Sequence, residues 1–330
     1  MHSSRRAFLS TSLASTAYAW QASSNVLLPS DPSRSQMWAA KGLASLAPAR
    51  LEIRTADLGE GFRLTTSRTS VLIEGGRDRG CLYGAMELLE RVGYRWFTPE
   101  HARVPARVAI PKLDLERRPA LAYREAFFTE AQDGDWSARN RLNGHFHRLE
   151  AQHGGRYFFQ PWAHSFVELI PPPSFFAQHP EYFALVEGKR RADAQLCLSN
   201  PDVIRLSIQR VREWIAAHPD ASAYSVSQND NADWCECEQC ASLGPTTSDR
   251  LLQFVNRIAR ELPDKTIDTL AYQDTRRPPR STVPAPNVLI RFCPIEACQA
   301  HALGRCRESI DAFHDYEGWR RTAKHIVPWR

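Results

Sequence analysis

The chain has 330 residues, of which 43 % are hydrophobic and 24 % charged, with a net charge of +5. This composition supports a packed core and excludes an extended disordered chain. The arginines are spread along the sequence rather than gathered into one stripe, which argues against a nucleic-acid-binding face.

Residues 1–25 read as a leader. Ser4-Arg5-Arg6-Ala7-Phe8-Leu9 opens a mildly apolar, Ser/Ala-rich stretch that ends in Ala17-Tyr18-Ala19. The small residues suit a signal-peptidase cleft, and the arginine pair resembles a twin-arginine signal. Export to the periplasm or the extracellular space is therefore expected, which places the eight cysteines in an oxidising compartment. A twin-arginine route delivers folded protein, so a metal loaded before export is equally compatible. No later stretch approaches the about 20 apolar residues of a membrane span.

Residues 26–36 read as a linker and 37–113 as a small α/β domain. A helix is expected over 37–46, stopped near Pro48, followed by strands at 51–54, 62–65 and 70–74. Gly75-Gly76 turns the chain into a helix in which Leu82, Ala85, Met86, Leu88 and Leu89 share one face, and Gly93 ends it. The glycines lack the spacing of a phosphate-binding loop, so Gly75, Gly76 and Gly80 are assigned structural roles.

From about residue 114 the rhythm changes. Strands are expected at 122–128, 144–147, 223–227, 267–272, 287–292 and 325–329, with an apolar piece at 195–198. Helices are expected at 136–142, at 203–218 after Ser199-Asn200-Pro201-Asp202, at 251–262 after Ser248-Asp249, and at 310–322. Short strands alternating with longer helices indicate parallel βαβ units. The fold expected for 114–330 is a (β/α)8 TIM-type barrel. The segment is shorter than the roughly 250 residues such a barrel usually needs, so the barrel is expected to lack its last units.

Barrel chemistry sits at the C-terminal ends of strands. The strand ending at Ser227 delivers Asp230 to that rim, with Asn229 placed to donate to a substrate hydroxyl and Trp234 as a platform for a sugar ring. Asp230 and Glu296 are the expected pair of catalytic carboxylates, with Asp274 as substitute. His164 and Tyr272 are further substrate contacts. Arg124 and Arg291 are candidates to neutralise a substrate carboxylate. His145 and His147 fall in one short extended segment and can be either pocket or packing residues.

Cys235, Cys237 and Cys240 lie within six residues and are expected to be structural. They can bind zinc if Cys293, Cys298 or Cys306 supplies a fourth sulfur, or they can form disulfides. No cofactor is expected in catalysis.

The run Ser225-Val226-Ser227-Gln228-Asn229-Asp230, followed by Trp234-Cys235, Cys237 and Cys240, resembles the signature of the bacterial DUF4838 family. So do Asp268-Thr269-Leu270-Ala271-Tyr272-Gln273 with Arg277-Pro278-Pro279, and Arg291-Phe292-Cys293-Pro294-Ile295-Glu296 with Cys298. His179-Pro180-Glu181-Tyr182-Phe183 and the run from Gln195 to Pro201 fit as well. Residues 84–99 resemble the small α/β domain that precedes the barrel in α-glucuronidases and β-hexosaminidases. The resemblance implies a glycosidase-like barrel behind an accessory domain, in a family without an assigned activity.

These features together point to an exported glycoside hydrolase acting on a glycan that contains uronic acid or amino sugar. The alternatives are a non-catalytic carbohydrate-binding protein and a polysaccharide lyase that uses Tyr272 with His164.

Overall fold

The computed structural model describes residues 25–46, 49–67 and 69–329. Apart from Asn25 the expected leader lies outside the described residues, as does Pro48. Two compact units are formed, one by the residues up to Asn143 together with His147–Gly155, the other by Gly144–Phe146 together with the chain from Arg156 onward.

The first unit contains β1 (Val26–Leu27), α1 (Arg34–Leu43), β2 (Arg50–Thr55), β3 (Phe62–Thr66) and β4 (Ser70–Gly75). They are followed by α2 (Gly80–Arg91), the short pair β5 (Arg95–Trp96) and β6 (Ala102–Arg103), β7 (Asp114–Arg117) and α3 (Gly134–Arg139). The five-stranded sheet runs β1-β2-β4-β3-β7. Alternation explains it: Phe62 and Leu64 on β3, and Val71 and Ile73 on β4, face a core that Leu82, Ala85, Leu88 and Leu89 of α2 complete. α1 starts at a reciprocal cap in which Ser33 Oγ accepts from the Gln36 amide at 3.2 Å and Gln36 Oε1 accepts from the Ser33 amide at 2.9 Å. Gly76 is obligatory, because a side chain there would collide with the Gly59 carbonyl.

Several expectations are corrected here. Residues 26–36 hold β1 and the start of α1 rather than a linker. Residues 114–117, expected in the second domain, pair with β3 in the first sheet, and the first unit continues to Gly155. Residues 122–128 form no strand. Their backbone is instead tied to one side chain: Arg124 N–H donates to Asn143 Oδ1 at 2.8 Å, and Asn143 Nδ2 donates to the Ala122 carbonyl at 2.8 Å. Residues 144–147 are likewise irregular.

The second unit contains β8 (Phe159–Gln160), the short helices α4 (Phe166–Leu169) and α5 (Pro172–Phe175), and the hairpin β9 (Leu185–Val186) with β10 (Lys189–Arg190). Then come α6 (Pro201–Ala217), β11 (Ala223–Ser225), α7 (Glu238–Ala241), α8 (Thr247–Arg260), β12 (Ile267–Tyr272), β13 (Val288–Cys293), α9 (Ile310–Thr322) and β14 (His325–Pro328). The sheet order is β14-β13-β12-β11-β8, and every pairing in it is parallel. The result is a mixed α/β fold built on a parallel sheet, with β14 and β8 as its edges among the described residues.

Both faces of this sheet are used. Tyr224, Val226, Ile267, Ala271, Val288, Ile290 and Phe292 join Val203 and Val211 of α6, the apolar residues of α8 and Trp319 of α9 in one core. Strand alternation turns Ser225, Asp268, Leu270, Tyr272, Arg291 and Cys293 to the opposite face. α6 begins where Asn200 Oδ1 accepts from the amides of Asp202 and Val203, with Pro201 in the first turn.

Candidate active site

The C-terminal ends of β12, β13 and β14, with the chain beyond β11, border a cleft of about 430 Å³. Its polar lining is His164, Asp230, Tyr272 and Gln299; Leu270, Cys293, Ile295 and Trp329 supply the apolar part. Register explains the convergence, since Tyr272 pairs with Cys293 across β12 and β13 and Leu270 lies two residues before Tyr272 on the same face.

Asp230 is exposed and makes one side-chain hydrogen bond among the described residues. The Tyr272 hydroxyl donates to its Oδ1 at 3.0 Å. Gln273 Nε2 in turn donates to the Tyr272 oxygen at 3.0 Å. Burial, and then the hydrogen bond to Asp230, raises the Tyr272 phenol above its ordinary range, so it stays a proton donor throughout neutral pH.

Gln273 has φ +49° and His164 φ +52°. Both are non-glycine residues in the left-handed region, a strained geometry that the surroundings must impose. His164 Nδ1 lies 2.8 Å from the Gln228 carbonyl. A carbonyl only accepts, so Nδ1 carries a proton. The His164 and Tyr272 rings meet edge to face at 5.8 Å.

The other expected residues take different places. Asn229 does not offer its amide to a ligand: Nδ2 donates to the Ala194 carbonyl at 2.9 Å, and Oδ1 accepts from the Val167 amide at 3.2 Å. Trp234 is fixed by Asp274, whose Oδ2 accepts from the indole N–H at 3.1 Å. Glu296 forms an ion pair with Arg276 at 2.9 Å, and its neighbour Ile295, not Glu296, lines the cleft. Arg124 belongs to the first unit, where it pairs with Glu60 at 2.8 Å and donates to the Tyr83 hydroxyl at 2.7 Å.

Arg291 is 1 % exposed. It pairs with the fully buried Asp268, and its guanidinium carbon lies 4.3 Å from the ring centres of both Phe159 and Trp162. A cation so enclosed neutralises its partner rather than a ligand.

His145 packs 4.6 Å from Trp162 and accepts from the Phe159 amide on Nδ1 at 3.1 Å. Burial, then the nearby Arg156 and Arg291, lowers its pKa to about 4, so it is a neutral packing residue near pH 7. His147 is buried in the first unit, bonded through Nδ1 to the Ala131 carbonyl and to Ser137 Oγ.

Cys235, Cys237 and Cys240 do cluster, and the fourth sulfur beside them is that of Cys197 rather than of the candidates Cys293, Cys298 or Cys306. Cys197 joins Cys235, Cys237 and Cys240, with all four sulfurs within 4.8 Å of one another. Cys293 is buried on β13, its thiol pushed up to about 12 by burial. Cys298 and Cys306 form a separate group with His301. Cys197 sits in the short apolar piece already visible at 195–198, and only its pairing across the fold was hidden. Gln195 was missed as well. Its Nε2 donates to the carbonyls of Asn229 and Asn231 at 2.9 Å, and its Oε1 accepts from the Asn229 amide at 2.9 Å. That clamp fixes the backbone on both sides of Asp230.

No helix among the described residues is long and apolar enough to cross a membrane. No curated protein sequence matches the chain. Solved structures of similar fold include the β-N-acetylhexosaminidase of Bacteroides fragilis, at 10 % identity and a TM-score of 0.54, covering 92 % of this chain and 69 % of that one. The chitobiase of Flavobacterium johnsoniae matches at 14 % identity and a TM-score of 0.53, covering 94 % of this chain and 56 % of that one. The N-acetyl-β-hexosaminidase of Streptomyces plicatus matches at 13 % identity and a TM-score of 0.51, covering 93 % and 70 %. The sequence profile described as a domain of unknown function, DUF4838, matches residues 96–330, and the chain belongs to that family.

Proposed function

We propose that the protein is an exported glycoside hydrolase acting on a glycan that contains an N-acetylated amino sugar, with Asp230 as the acid/base carboxylate on a barrel-type rim. The observation that carries this reading is the placement of Asp230, with Tyr272 and His164, in a cleft at the C-terminal ends of a parallel sheet. The overall fold is similar to that of β-N-acetylhexosaminidases.

Asp230 is the one carboxylate that lines the cleft among the described residues. Most glycosidases use two, and substrate-assisted ones are an exception. A 2-acetamido group can supply the missing nucleophile. Its carbonyl oxygen attacks the anomeric carbon while protonated Asp230 gives its proton to the departing glycosidic oxygen. Water then opens the cyclic intermediate and returns a proton to Asp230. Tyr272 holds Oδ1 and leaves the second oxygen for the sugar. Trp234 is the proposed platform.

A uronic-acid substrate is disfavoured because Arg124 and Arg291 are both engaged with protein carboxylates. A lyase reading is disfavoured on the same ground, since it needs an arginine at the substrate carboxylate and none lines the cleft among the described residues. Export rests on the leader-like residues 1–25.

The test is release of 4-nitrophenol from N-acetyl-β-glucosaminide, N-acetyl-β-galactosaminide, β-glucoside and β-glucuronide conjugates by the full-length protein and its Asp230→Asn variant. The expected result is cleavage confined to the N-acetylated sugars, reduced at least 100-fold in the variant. Saturable sugar binding without cleavage, or equal activity of the two proteins, overturns the proposal.

A further inference from the structure

The four sulfurs of Cys197, Cys235, Cys237 and Cys240 all lie within 4.8 Å of one another, a spacing too long for disulfides and matched to a shared metal ion. Cys197 Sγ lies 3.8 Å from Cys237 Sγ and 3.7 Å from Cys240 Sγ. A disulfide requires about 2.05 Å. The edge of a regular sulfur tetrahedron drawn around zinc with bonds of about 2.3 Å is about 3.8 Å. We propose that these four cysteines form a structural tetrathiolate zinc site.

The surroundings fit that assignment. Cys197, Cys235 and Cys240 are buried and Cys237 is half-buried, so four thiolates here need a compensating cation. Zinc leaves a residual charge of two minus on the centre, and the protein supplies donors for it. The Leu185 amide donates to Cys235 Sγ at 3.3 Å and the Cys240 amide to Cys237 Sγ at 3.4 Å. The Ser199 hydroxyl lies 3.2 Å from Cys240 Sγ, and Arg190 Nη1 lies 3.7 Å from Cys235 Sγ. Outer donors of this kind orient metal-bound thiolates and set their affinity. Four sulfur ligands leave no open position, which makes the site structural rather than catalytic.

The site closes a specific piece of architecture. It joins the segment that carries Gln195 to the loop that carries Asn229, Asp230 and Trp234, the same two segments that the Gln195 carboxamide clamps. Zinc thus holds the backbone that presents Asp230, whichever reaction the cleft performs.

Elemental analysis of the purified full-length protein tests this without reference to activity. One equivalent of zinc per chain is expected, with X-ray absorption showing four sulfurs at about 2.3 Å. Replacing the metal with cobalt should give the visible bands of a tetrahedral tetrathiolate centre. Cys197→Ser should lose zinc to a chelator at least tenfold faster than the parent, while Cys298→Ser, in the separate group with Cys306 and His301, keeps its zinc. Should Cys197→Ser fail to fold, the parent protein's metal content and absorption spectrum decide alone. Iron in place of zinc, two disulfides without metal, four titratable thiols without metal, or loss of zinc in Cys298→Ser but not in Cys197→Ser each overturns the proposal.

Discussion

The Tyr272 hydroxyl donates to Asp230 Oδ1 at 3.0 Å, so the residue that ends β12 sets the orientation of a carboxylate carried beyond β11. A hydrogen bond to a charged group is worth about 1.5–3 kcal/mol. Tyr272→Phe keeps the ring packing against His164 and removes that bond together with the one the hydroxyl accepts from Gln273 Nε2. We expect kcat to fall about ten- to hundredfold on an N-acetylated substrate with little change in thermal stability. A kcat unchanged within twofold would show that Asp230 does not depend on Tyr272.

Asp274 and Asp230 are separated by a test that uses the Trp234 contact. An asparagine at 274 retains a carbonyl oxygen able to accept from the indole N–H, now at 3.1 Å from Asp274 Oδ2. If Asp274 only positions the platform, Asp274→Asn stays within about threefold of the parent, whereas Asp274→Ala raises KM by about tenfold, the worth of one hydrogen bond to a charged group. A hundredfold loss of kcat in Asp274→Asn would instead make Asp274 a reacting carboxylate. Glu296→Gln, which weakens only the exposed pair with Arg276, should change activity by less than twofold.

What the sequence revealed follows the range of the interactions. β12, β13 and β14 are legible because each is an apolar run bounded by turn residues, and α6 because Asn200-Pro201 caps it locally. Asp230 and Tyr272 are legible as strand exits. β8 is not, since Phe159–Gln160 is too short to show a period and its partner lies on β11. Asn229 looks like a ligand donor until Ala194 and Gln195, far earlier in the chain, consume its hydrogen bonds. Arg291 looks like an anion site until the neighbouring strand supplies Asp268. Cys197 is invisible as a cluster member for the same reason. Local patterning shows through a sequence, whereas register and cross-fold pairing decide which polar groups remain available.

His145 makes stability depend on pH. Its pKa is lowered from 6.5 to about 4 by burial first, and then by Arg156 and Arg291. The unfolded chain therefore binds more protons between those values. The contribution is fully present above pH 6.5 and is lost as pH falls toward 4. The side chain is only half-buried, so screening reduces the effect to about 1–2 kcal/mol. His145→Gln retains an acceptor for the Phe159 amide and has no such titration. Urea midpoints from pH 4 to 7 should show a steeper acid loss in the parent than in the variant, and parallel curves would remove His145 as the cause.

Arg291 and Asp268 should be far more costly to lose singly than together. Their pair is buried, and breaking such a pair typically costs about 3–5 kcal/mol because one charge is left uncompensated. The two single losses are not equivalent. Burial already raises the Asp268 pKa, so after Arg291→Met the carboxyl can take up a proton. Arginine cannot shed its charge, so Asp268→Leu should be the more destabilising change. A group whose folded pKa is raised contributes most at low pH, so the Arg291→Met penalty should shrink as pH falls and the Asp268→Leu penalty should not. The double variant should recover much of the loss, with the Phe159 and Trp162 rings that flank Arg291 closing on an apolar side chain. Denaturation of the parent, both singles and the double closes the cycle, and penalties that simply add would mean the two charges do not stabilise one another.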